Sequence, residues 1–305
     1  MLVWNELVTN KLARKILTRP IHRWETSRKY QIREKVFDLL SITVNPNPTK
    51  ILAVLTTPKT ICDAAWAAQS LLRYLPSDLG LAIVIDGEIS IDIEQKLKSL
   101  FPNIMIQYTC DAMENLQIIA PNLINYGELH PLGRKLAVIL WNQLKYSVLY
   151  SDADILCFGE IPEIYEAIRN NTNAWYMQDI GNLNGDSILM NRLNELNYDF
   201  VDTLNSGFLY IPHSALNIEI CDYLLSEQYD SNSWFVEQTI LAVLMKQAGG
   251  TPLSKSKYVV SSQRQFYFEK DVNYHQISVR HFVTPVRHLM YSKGMPLLWQ
   301  KWQKQ

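Results

Sequence analysis

From Lys50 onward, short apolar runs alternate with helix-length segments, and this alternation constrains the fold more than any other feature of the 305-residue chain. KILAVLTT (50–57), LAIVIDG (81–87) and IMIQYT (104–109) read as buried strands separated by helical patterns at 61–75 and 91–101. A third helical pattern, GRKLAVILWNQLK (133–145), leads into SVLYSDADILCF. Strands that are apolar on both faces and joined by helices assemble as βαβ units in a mostly parallel sheet. A helix at 161–170, a strand at 174–179, a polar loop over roughly 180–200, a strand at 204–212 and helices around 214–226 and 234–248 extend the pattern. The expected organisation is one α/β domain over 49–305 behind a basic helical extension over 1–48, with NPNP at 45–48 as the turn between them. Open α/β sheets bind ligands at the carboxyl ends of their strands, where Thr56, Thr57, Asp86, Asp152 and Asp154 all fall.

Asp152 and Asp154 end an apolar run with only Ala153 between them. In an extended strand residues i and i+2 project to one face, so the two carboxylates point together. They repel unless one is protonated or a cation sits between them. Oxygen ligands of this kind suit magnesium or manganese, ions that bridge to phosphorylated substrates. Spacing alone leaves open a turn whose acids cap a following helix.

A formal net charge of −1 gives no global attraction to nucleic acid, so charge acts locally. The first 35 residues carry nine basic residues (11, 14, 15, 19, 23, 28, 29, 33 and 35) against three glutamates, with Trp4, Leu7, Leu12, Ile16 and Trp24 interspersed. They read as one or two amphipathic helices broken near Pro20, either packed on the domain or attached to an acidic partner or the inner face of an anionic membrane. Trp299 and Trp302, flanked by Lys301 and Lys304, offer a second lipid-interface element. Cys62, Cys110, Cys157 and Cys221 show no metal or disulfide spacing and read as reduced core thiols. No apolar run approaches the roughly 18–20 residues of a membrane span, and the N-terminus lacks signal-peptide features, so a cytoplasmic location is expected.

VLYSDADILCF resembles the DxD element with which GT-A glycosyltransferases hold a nucleotide-sugar through a divalent cation, and the order of the surrounding motifs is most similar to glycosyltransferase family 8. TTPKTICDAAWAAQSLL looks like that family's first strand end and nucleotide-side helix, and VIDGEIS like its second strand and acidic turn. GRKLAVIL resembles the family's Ala-Arg-Leu helix start, LNSGFLYIP its Asn-Ser/Ala-Gly strand, WFVEQTILAVLM its Asp-Gln helix and HFVTPVRH its C-terminal His segment. The match covers about residues 50–290 and implies a Rossmann-like GT-A fold, a nucleoside diphosphate sugar donor, with UDP as the nucleotide, and Mn2+ or Mg2+ as cofactor.

The resemblance also implies residue roles. Asp152, Asp154 and His281 become metal ligands, and Arg287, at the family's lysine position, pairs with the diphosphate. Thr56, Thr57 and Asp86 face the nucleotide, while Arg134, Asn205, Ser206, Gly207 and Glu237 face the donor. Gln238 lies near the anomeric carbon and Asp179 near the donor hydroxyls, and retention of configuration is implied. Thr284 in place of glycine, Ser151 before the acids and Glu237 in place of aspartate depart from the pattern. The polar segment 181–200 is assigned to acceptor selection by its position. The acceptor itself, whether glycan, lipid or protein, is not specified. A non-catalytic nucleotide-sugar binder or scaffold remains the alternative. A DxD phosphotransferase fits less well, because its nucleophilic aspartate belongs after the first strand.

Overall fold

The computed structural model describes residues 27–181, 185–260, 272–283 and 286–303. The strands are β1 (Lys50–Thr56), β2 (Gly80–Ile85), β3 (Met105–Tyr108), β4 (Ser147–Asp152), β5 (Ile155–Cys157), β6 (Trp175–Gln178), β7 (Leu204–Ile211), β8 (Thr251–Pro252), β9 (Tyr258–Val260) and β10 (Val279–His281). The helices are α1 (Ile61–Leu72), α2 (Ile91–Leu100), α3 (Thr109–Leu116), α4 (Pro121–Leu129), α5 (Pro131–Gln143), α6 (Pro162–Asn170), α7 (Ser187–Glu195), α8 (Ile218–Ser226), α9 (Val236–Gln247) and α10 (Met295–Trp302).

Seven strands form the main sheet in the order β3-β2-β1-β4-β7-β6-β8, and a second sheet has the order β5-β10-β9. β1 to β4 run parallel, whereas β7 is antiparallel to both β4 and β6. The central strands are buried on both faces because helices cover both. Leu52 and Val54 of β1 enter one core with Trp66 of α1, while Ile51 and Ala53 enter the other with α5 and α9. The mostly parallel α/β sheet flanked by helices is as the alternation predicts.

Three local readings change. β4 ends at Asp152, Ala153 and Asp154 form a turn, and the chain resumes as β5 in the other sheet, so the acids are not on one continuous strand. The predicted loop at 180–200 contains α7, whose N-cap Asp186 accepts a hydrogen bond from the Leu189 N–H at 2.8 Å and whose Leu189 and Leu193 are buried. Residues 110–129, given no element by the periodicity, belong to α3 and α4 and their connection, and α3 begins at Thr109, which the strand pattern includes. Cys110 is exposed, contrary to the core reading, while Cys157 and Cys221 are buried.

The described part of the N-terminal extension is helical at 27–33, continues as a 3-10 turn over Glu34–Asp38 and is bound to the domain. Arg33 Nε donates to Asp63 Oδ1 at 2.7 Å, and the fully buried Trp66 donates through Nε1 to the Arg33 carbonyl at 3.0 Å. Tyr291, in the helical turns before α10, donates to Asp63 Oδ2 at 3.0 Å. Trp302 is buried and stacks on Trp66 at 5.7 Å, and Lys35 lies 5.0 Å over the Trp299 ring. Trp302 is therefore core and cannot anchor in lipid. The basic stretch at 1–26 lies outside the described residues, among which no helix is long and apolar enough to cross a membrane.

Replacing Arg33 with alanine leaves a buried carboxylate without its guanidinium, at a cost of about 3–5 kcal/mol in urea unfolding wherever Asp63 is ionised. Burial raises the Asp63 carboxyl above its ordinary value despite Arg33. A protonated Asp63 needs no cation, so the Arg33→Ala deficit is full where Asp63 is ionised and narrows as pH falls through that raised titration. A deficit that does not vary with pH would contradict this account.

Candidate active site

The two acids lie at the carboxyl end of the central strands, where register aligns Leu55 with Asp152. His281 reaches them through the small sheet. β10 pairs antiparallel with β5, setting His281 opposite Ile155, and the Phe282 N–H donates to the Asp154 carbonyl at 2.8 Å. His281 Nε2 consequently stands 3.1 Å from Asp154 Oδ1 and 3.8 Å from Asp152 Oδ2. One ligand atom from each of the three residues lies within 4.8 Å of the others.

The orientation of the imidazole follows from its other nitrogen. Asn205 Oδ1 accepts from the Gly207 N–H at 3.1 Å, which identifies it as the amide oxygen, and it lies 2.9 Å from His281 Nδ1. His281 Nδ1 must then be the donor, so Nε2 is the nitrogen that faces the acids, donating to Asp154 when the ring is protonated and offering its lone pair to a cation when the ring is neutral. A hydrogen bond that fixes the tautomer in this way is the usual support of a metal-ligating histidine. Two carboxylates and one such imidazole are a donor set that fits a divalent cation. Gly207 makes the approach possible, since a Cβ there would come within 2.4 Å of His281 Cε1 and 2.7 Å of Nδ1.

Cations already balance the acids. Lys135, on the first turns of α5, donates from Nζ to Asp152 Oδ2 at 3.2 Å and to Ser206 Oγ at 3.0 Å, and lies 3.4 Å from Glu237 Oε1. Burial alone would lower the Lys135 ammonium, but Asp152 and Glu237 hold it above the ordinary lysine value. Glu237 is raised, because burial outweighs the pull of Lys135, and Ser206 donates to its Oε2 at 3.1 Å. Arg287 pairs with Asp154 Oδ2. Burial would raise the Asp154 carboxyl, yet His281 and Arg287 hold it well below the ordinary carboxylate range. Tyr150 donates to Asp152 Oδ1 at 2.6 Å.

A cleft of about 410 Å³ opens beside this cluster, lined by Thr56, Thr57, Asp86, Lys135, Asp152, Asp154, His281 and Arg287 among others. Thr56 and Thr57 converge on Thr60 Oγ1 at 3.0 and 2.9 Å. Arg134, expected to face the donor, holds Asp86 of the cleft lining at 3.0 Å, and its neighbour Lys135 enters the cleft. Successive helical residues point about 100° apart, so one position decides which cation reaches the acids. Asn205 faces His281 Nδ1 through its carbonyl oxygen at 2.9 Å. Gln238 lies beside Glu237 on α9, and its Nε2 is buried with no hydrogen-bond partner among the described residues. Asp179 follows β6 and accepts from the Ile180 N–H at 2.8 Å, and it is not among the residues lining the cleft. Thr284 lies outside the described residues.

No family sequence model and no curated protein matches the chain in sequence. Solved structures do match in shape. The apo structure of the bifunctional glycosyltransferase WbbM superposes with a TM-score of 0.54 at 13 % identity, over 85 % of this chain and 52 % of WbbM, so the match spans about half of that protein. Mouse xyloside xylosyltransferase 1 gives 0.51 at 10 % identity over 80 % of this chain and 99 % of its own. The galactosyltransferase LgtC, solved with donor and acceptor sugar analogues, gives 0.50 at 14 % identity over 82 % and 95 %. At these identities the likeness speaks for architecture alone: the chain has the GT-A glycosyltransferase fold.

Proposed function

We propose that the protein is a metal-dependent glycosyltransferase that moves a sugar from a nucleoside diphosphate sugar, with UDP as the nucleotide, to an acceptor hydroxyl. The convergence of Asp152, Asp154 and the lone-pair nitrogen of His281 beside the cleft of a GT-A fold carries this reading. Those three residues would hold Mn2+ or Mg2+, which when bound supplies Lewis-acid stabilisation of the charge on the departing diphosphate. Thr56, Thr57 and Asp86 would face the nucleoside. Arg287 would turn its guanidinium to the phosphates, for which its planar fork is suited.

On the sugar side, Lys135 supports Asp152 as an ionised carboxylate and orders Ser206 and Glu237 around itself. The partnerless amide nitrogen of Gln238 is a donor suited to a substrate oxygen, because a buried polar group left unpaired is costly. Arg134 would act through Asp86, Asn205 through His281, and Asp179 from the adjacent strand end. The bond between the anomeric carbon and the diphosphate oxygen breaks with its electron pair on the phosphate. The acceptor oxygen bonds to that carbon, and its proton passes to the diphosphate or to solvent. Retention of configuration, implied by the family 8 resemblance, belongs to the same proposal and is read from the anomer of the product.

The deciding measurement is UDP release from a panel of UDP-sugars with manganese. Asp154→Asn is expected to lower turnover more than about a hundredfold, since it removes both a ligand and the charge that holds the cation. Undiminished turnover in that variant overturns the proposal. Binding of UDP and manganese by the wild type with no release from any donor would instead establish a non-catalytic binder.

Gly207→Ala tests the metal site independently of turnover. The added methyl group must displace His281, and Mn2+ affinity measured by calorimetry should fall about 10–100-fold, the range typical when the support of a ligand is disturbed. Unaltered affinity would show that His281 does not ligate.

A further inference from the structure

Trp234 is 63 % exposed, although a tryptophan free to pack would bury far more of its surface. Its ring does not hang loose. It meets the buried His130 edge-on at 4.8 Å, His130 stacks on Tyr126 at 5.7 Å with the planes 3° apart, and Tyr126 meets Tyr229 edge-on at 5.6 Å. His130 is itself fixed, because its Nδ1 accepts from the Leu132 N–H at 3.2 Å and so caps α5. Three rings therefore form a pedestal that holds the indole with most of its surface in solvent.

The pedestal abuts the start of α5, whose first turns line the cleft. His130 directly precedes Pro131 and Leu132, which line the cleft, and Lys135 lies one turn further on. Trp234 precedes Glu237 by three residues, and Glu237 pairs with Lys135. The indole thus stands on the rim where α5 and α9 begin.

The neighbouring residues indicate what it meets. Tyr229–Phe235 reads YDSNSWF, with one acid, two serines, an asparagine and no lysine or arginine. The loop is braced internally: Ser233 Oγ accepts from the Phe235 N–H at 3.2 Å and Asp230 Oδ1 from the Asn232 N–H at 2.9 Å. An anionic membrane surface would call for basic residues around an anchoring tryptophan, and this rim has none within the loop. A pyranose has one apolar C–H face and a periphery of hydroxyls, which suits a flat apolar ring bordered by short polar side chains. A ring held rigid in advance also loses little conformational freedom on binding.

We propose that Trp234 is the floor of an acceptor subsite for a carbohydrate, whose sugar ring stacks on the indole beside the donor cleft. This rests on the glycosyltransferase reading, and the two are tested by separate readouts. UDP release by the wild type, with no acceptor added, tests the reading itself. Binding to a printed glycan array in the presence of UDP and Mn2+, followed by fluorescence titration of the bound sugar, tests the subsite. The wild type should bind at least one glycan. Trp234→Ala should bind it about tenfold or more weakly, with an unchanged unfolding midpoint because the side chain is exposed, and Trp234→Phe should retain most of the affinity. Absence of any bound glycan, equal binding by Trp234→Ala, or Trp234-dependent binding to phosphatidylcholine or phosphatidylglycerol vesicles in place of glycans would overturn the proposal.

Discussion

Two carboxylates held side by side at the end of a buried strand repel one another, and the architecture around them answers that repulsion. Asp152 is matched by Lys135 from α5, Asp154 by Arg287 from the C-terminal segment, and both lie within reach of His281 from β10. These partners are 17, 133 and more than 100 positions away in sequence, so no local element could supply them. At an effective dielectric of about 20, two unit charges 4 Å apart interact by about 4 kcal/mol, enough to decide how the loops around them settle.

The precision of the cluster comes from groups that never touch it. Asn205 is oriented by the Gly207 N–H and in turn orients His281, and Gly207 lacks the Cβ that would push the imidazole away. The small sheet aligns His281 with the residue after Asp154. On the opposite side of the cleft, Asp63 joins the N-terminal extension to the C-terminal segment through Arg33 and Tyr291, and it also lines the cleft. The extension thereby reaches a residue of the cleft wall through Arg33.

Much of this was legible in the chain. The alternation of apolar and helical segments specified a mostly parallel sheet, and the acids, the LNSG strand and His281 were identifiable as one site from their order. What could not be read were features that depend on a single residue of register. Lys135 and Arg134 are adjacent in GRKL, and only the packing of α5 on the sheet turns Lys135 toward Asp152 and Arg134 toward Asp86. The helix at Ser187–Glu195 was masked by its polar composition, although Asp186 followed by leucines four apart carried a usable capping and packing signal. Trp302 looked like a surface anchor because its partner, Trp66, is more than 200 residues away.

The sequence by itself determined the class of fold and the chemical types of the clustered side chains, because hydrophobic periodicity and side-chain type are local properties. Tertiary structure alone decided which nitrogen of His281 faces the acids, which of two neighbouring cations enters the cleft, and where Trp234 stands. Each of those depends on the distance between atoms far apart in the chain, which is set only once both cores have packed.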